Sequence, residues 1–116
     1  MTVTTITLAA APAAIASAVT AASRVLFLGT EGTNALPRCR SIRIAAGRDF
    51  FKDTADLRLF GADAEPGVVR TIAARVVAEQ AVAPSLIILE HPAFASLGEA
   101  DLRALFPSAN VVRISG

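Results

Sequence analysis

Tryptophan and tyrosine are absent from this chain of 116 residues, and cysteine, histidine and lysine occur once each. A lone Cys39 excludes an intrachain disulfide and makes a reducing cytoplasm the expected compartment. Arg38 and Arg40 flank it and favour thiolate, but no buried strand leads into it and no Gly-rich turn follows, so a catalytic thiol is not expected. A lone His91 has no second histidine and no serine elbow nearby, which is the pattern of a structural histidine. The net charge of only +1 supplies no bulk attraction to nucleic acid or to an anionic membrane. Arg38, Arg40, Arg43 and Arg48 do cluster beside Phe50 and Phe51. Without tyrosine or tryptophan to stack bases, and with Asp49, Asp53 and Asp56 to neutralise it, the cluster reads as a guarded strand edge.

Long hydrophobic runs are missing too. The stretch from Ile6 to Ala22 is apolar, but Pro12 interrupts it and it is too short to span a bilayer. It also lacks the charged start and Leu-rich centre of an export signal, so a strand followed by an Ala-rich helix is the better account.

With 53% hydrophobic and 18% charged residues, the composition is that of a single globular domain over 1–116 with one core. Thr2 to Leu8 alternates Thr with Val, Ile and Leu and predicts a half-buried strand. Val25 to Leu28 and Leu86 to Leu89 are short continuous apolar runs, the mark of buried parallel strands, and Leu57 to Phe60 and Val111 to Ile114, each apolar but for one arginine, predict two more. Arg40 to Ala45 alternates and predicts a further strand. Asp63, Glu65 and Pro66 open a helix carrying Val69, Ile72, Ala73, Val76 and Val77 at helical spacing. Ser96 and Glu99 have capping-box spacing ahead of Leu102, Leu105 and Phe106, and Pro107 stops that helix. Strands alternating with helices predict an α/β fold: a three-layer open sheet, mostly parallel, of five or six strands with helices on both faces.

Such a sheet gathers its strand ends on one edge, where ligands bind at the point of reversed strand order. The residues due there are Thr30, Glu31, Thr33 and Asn34, then Asp63, then Glu90 and His91. Asp63, Glu90 and His91 are the acid/base or divalent-metal candidates, and Thr30, Glu31, Thr33 and Asn34 are weaker ligand-binding candidates. The Gly29–Asn34 segment has phosphate-loop chemistry, but Pro37 and Arg38 follow where a helix start would be needed.

The half from Leu57 to Ile114 resembles a response-regulator receiver domain, a flavodoxin-like fold. Pro84-Ser-Leu-Ile-Ile-Leu-Glu90 is similar to that family's phosphoacceptor strand, with Glu90 at the aspartate's place. Pro107-Ser-Ala-Asn-Val-Val-Arg-Ile-Ser115 is similar to its next strand. Val25-Leu-Phe-Leu-Gly29 lacks the paired acids that hold magnesium in the family, so the resemblance implies a receiver-like module without phosphotransfer.

Two functions follow as expectations. The first is a non-catalytic regulatory or assembly module that binds a protein partner or itself, with no cofactor. Its contact face is the uncharged helix at 12–22, through Ala14, Ile15, Ala18, Val19 and Ala22, giving a homo-oligomer. The alternative is a small enzyme or ligand-binding or metal-binding protein working at the carboxyl edge.

Overall fold

Leu86-Ile-Ile-Leu89 is apolar on both of its faces, so it is stable only with a layer packed on each side. It forms the centre of a five-stranded, all-parallel sheet in a computed structural model of the chain. The structure describes residues 3–7, 18–19, 22, 24–31, 37, 40–41, 44, 57–80 and 83–115. Strands β1 (Val3–Thr7), β2 (Val25–Thr30), β3 (Leu57–Phe60), β4 (Leu86–Leu89) and β5 (Asn110–Ser115) lie in the order β1-β5-β4-β2-β3. Register pairs Phe27 with Ile88 between β2 and β4, Ile87 with Val111 between β4 and β5, and Thr5 with Arg113 between β1 and β5. From the β3 side this is the flavodoxin-like order 2-1-3-4-5, except that the fifth place is held by the chain's first strand.

Helix α1 (Pro66–Ala78) follows β3, and helix α2 (Glu99–Leu105) follows β4. Pro66 stands at the first helical position, where its missing N–H costs nothing. Glu65 is the N-cap: its two carboxylate oxygens accept from the Gly67 and Val68 amides at 3.0 and 2.9 Å. In α2 the acids Glu99 and Asp101 occupy the first turn, the positive end of the helix dipole. Phe106, held out of the helical region by Pro107, ends it.

Alternation along the strands divides the core. Leu26, Leu28, Ile87, Leu89 and Val111 share one face with Val69 and Ala73 of α1 and Leu102 of α2. Val25, Phe27, Leu86, Ile88, Val112 and Ile114 share the other, where Val19 is wholly buried against them. The β3-to-β4 and β4-to-β5 crossovers run in the same direction along the sheet, and right-handed connections then place α1 and α2 on one face.

Two local expectations change. Arg40, Ser41 and Ile44 lie in helical backbone, not in a strand, and the Ser41 hydroxyl donates to the Pro37 carbonyl four residues back. This hydrogen bond offers Ser41 a helical partner that the alternation of apolar and polar residues could not reveal. No capping box forms at α2. Its N-cap is Gly98, and the Ser96 hydroxyl instead accepts from Arg70. On α1 the buried line is Val69 and Ala73, with Ile72 and Val76 half-buried beside it.

Candidate functional site

The chain leaves β2 toward β3 but leaves β4 toward β5, so sheet order reverses between β2 and β4. A ligand crevice is expected outside their carboxyl ends. Thr30 ends β2 there, and Glu90 directly follows β4. The gap is bridged. The Glu90 carboxylate accepts from the Thr30 amide at 2.7 Å, and the Glu90 amide donates to the Leu28 carbonyl at 2.9 Å. The His91 amide reaches the same carbonyl at 3.3 Å, and the Glu31 amide continues the ladder onto Phe60 at 2.7 Å.

His91 is 3% exposed. Its Nδ1 accepts from the Ala93 amide at 3.0 Å, which assigns the proton to Nε2, and Nε2 then donates to the Gly61 carbonyl at 3.0 Å. The ring meets Phe60 edge-on, with centroids 6.0 Å apart at 85°. His91 therefore joins the loop after β3 to the loop after β4. It also caps a 3-10 turn, Pro92–Phe94, that drives Phe94 into the core beside Phe106.

Two arginines hold the rest of that loop. Arg70 of α1 donates to the Ala93 carbonyl at 2.8 Å and to the Ser96 hydroxyl at 3.2 Å. Arg113 of β5 donates through Nη1 to the Phe94 carbonyl at 3.1 Å and to the Leu97 carbonyl. Through Nε and Nη2 it also grips the Thr5 hydroxyl of β1 at 3.2 and 3.0 Å. The sequence reading passed over both arginines. The one available signal was Arg113 itself, a charge inside an otherwise apolar strand.

The remaining candidates are dispersed. Glu31 and Asp63 are exposed, and Asp63 does not cap α1, because Glu65 does. The Glu65 carboxyl lies below the usual glutamate range because its oxygens accept from the Gly67 and Val68 amides, with Arg70 adding to the effect. Among the described residues, no group of three or more His, Cys, Asp or Glu side chains could hold a metal ion. Thr33 and Asn34 lie outside the described residues, as do Ala14 and Ile15 of the expected contact face and Arg38, Cys39, Arg43 and Arg48. Of the rest of that face, Ala18 is exposed and Ala22 half-buried. Val19, expected at an interface, is buried in this chain's own core because the sheet face beneath it is fully apolar.

A groove of about 270 Å³ opens at the opposite end of the sheet, between the last turns of α1 and α2. Ala74, Val77, Pro84, Leu105 and Phe106 line it, so its character is apolar. No described helix is long and apolar enough to cross a membrane. Comparison of the chain with protein-family models, with curated proteins and with solved structures finds no match.

Proposed function

We propose that the chain is a non-catalytic regulatory or assembly module, receiver-like in fold, that acts through contacts with a protein partner or a second copy of itself. The observation that carries this reading is the hydrogen bond from the Thr30 amide to Glu90. A carboxylate that serves as a nucleophile, base or metal ligand must present an oxygen to the incoming group. Here one oxygen closes the switch point, and both nitrogens of the neighbouring His91 are bonded to backbone. Glu90 and His91 thus support the fold through backbone bonds. Exposed Ala18 and the apolar groove between the ends of α1 and α2 leave uncharged surface suited to protein contact.

Light scattering and intact-mass spectrometry after incubation with acetyl phosphate test this together. The reading expects a mass above the monomer at micromolar concentration and no phosphoryl adduct. A monomer that acquires a phosphoryl group on Glu90 would overturn it.

A further inference from the structure

His91 is the one histidine of the chain. Its buried ring ties two loops together through backbone bonds that only one protonation state can make. From this geometry we infer that His91 is a pH-operated latch on the Pro92–Gly98 loop: neutral it holds the 3-10 turn closed, and protonated it releases the turn's first amide.

The argument is one of donors and acceptors. Neutral imidazole offers one donor and one acceptor, and the imidazolium offers two donors. Gly61 presents a carbonyl to Nε2, and a donor suits it in either state. Ala93 presents an N–H to Nδ1, and an N–H accepts nothing. Protonation therefore leaves the Gly61 side intact and sets two donors against each other on the Ala93 side. Flipping the ring cannot cure this, because it puts the Cδ2–H in the place of Nδ1 and offers the Ala93 amide no acceptor. Little water reaches a ring 3% exposed, so the released amide must move to find another acceptor.

The surrounding elements carry charge of both signs. Glu31 follows β2, Arg58 lies 6.0 Å over the Phe60 ring on β3, and Asp63 and Glu65 precede α1. Arg70 reaches the turn from α1, Glu90 adjoins the histidine after β4, and Arg113 reaches the turn from β5. Both ring nitrogens nevertheless bond to backbone alone. Arg70 and Arg113 hold the Ala93, Phe94 and Leu97 carbonyls independently of the ring, so opening is local. The turn loosens at Pro92–Ala93 while the sheet stays intact. The proposed function does not depend on this latch, and either can fail alone.

The test is two-dimensional NMR on the ¹⁵N-labelled chain, with pH lowered from about 8 until the ring protonates. At the upper end the ring nitrogens should show the Nε2–H tautomer. As the ring protonates, hydrogen-exchange protection of the Ala93 amide, corrected for intrinsic rate, should fall by about three- to tenfold, the worth of one hydrogen bond. Amides of β4 and β5 should keep theirs. In His91→Gln, which keeps an acceptor and a donor but cannot titrate, the Ala93 step should vanish. An Nδ1–H tautomer, constant Ala93 protection across the ring's titration, or a step that persists in His91→Gln would each overturn the latch. If His91→Gln does not fold, the tautomer and the coincidence of the two unmodified-chain titrations decide it.

Discussion

The Glu90 carboxylate takes the Thr30 amide at 2.7 Å across the place where strand order reverses, joining β4 to β2 just beyond the end of their ladder. Register pairs Leu28 with Leu89, so this side-chain bond extends the sheet by one more rung. The site that topology offers to a ligand is thereby used to lock the two central strands.

Removing that rung should cost stability. Glu90→Ala leaves the Thr30 amide without this acceptor, and a bond to a charged group is worth about 1.5–3 kcal/mol. Glu90→Gln retains an acceptor oxygen and should lose less. Urea unfolding of the three proteins checks the order, which is unmodified chain, then Gln, then Ala.

The central strand should be sensitive to cavities. Ile88 and Leu89 are both 0% exposed and face opposite sides of the sheet. Ile88→Ala and Leu89→Ala should each destabilise by about 2–5 kcal/mol through lost burial and the void left behind. Thermal unfolding shifted by only a degree or so in both would show that the strand is not central.

Arg113 should hold the first strand in place. It is the side chain that joins Thr5 of β1 to the carbonyls of Phe94 and Leu97. Lysine is a point charge and cannot serve both sides at once, so Arg113→Lys should behave nearly as Arg113→Ala. Hydrogen exchange should speed up at the β1 and Leu97 amides in both variants, with β2 and β4 unchanged.

The start of α1 should be acid-sensitive. The Glu65 carboxyl is lowered below its ordinary value because the ionised form accepts from Gly67 and Val68. A lowered folded value means that the stabilisation is complete above the unfolded value and is lost as pH falls through the folded one. The Glu65 carboxyl carbon should therefore titrate below the ordinary glutamate range, and the Gly67 and Val68 amide shifts should follow it. In Glu65→Gln that coupled movement should disappear.

The sheet was legible because buried parallel strands leave an unambiguous trace. Leu86–Leu89 is delimited to the residue by its apolar run, and Leu57–Phe60, despite Arg58, by Asp56 and Gly61 at its ends. Strand order was less accessible: nothing local in Val3–Thr7 says that it lies beside β5 rather than beside β2. At the edge, residue types correctly placed Thr30, Glu90 and His91 near one another. They could not show where the hydrogen bonds go, because a carboxylate that closes a strand and one that waits for a ligand read alike. Ser96 shows the same gap, with capping-box spacing but a hydroxyl that serves Arg70.

The most direct test of the central claim is NMR mapping of the Thr30, Glu90 and His91 amides during separate titrations with magnesium, zinc and inorganic phosphate. If the carboxyl edge is closed by its own hydrogen bonds, these amides keep their shifts while ligand rises to millimolar concentration. A saturable shift centred on Thr30 and Glu90, with one of those ions displacing the carboxylate from the amide, would contradict the account and make this edge a binding site.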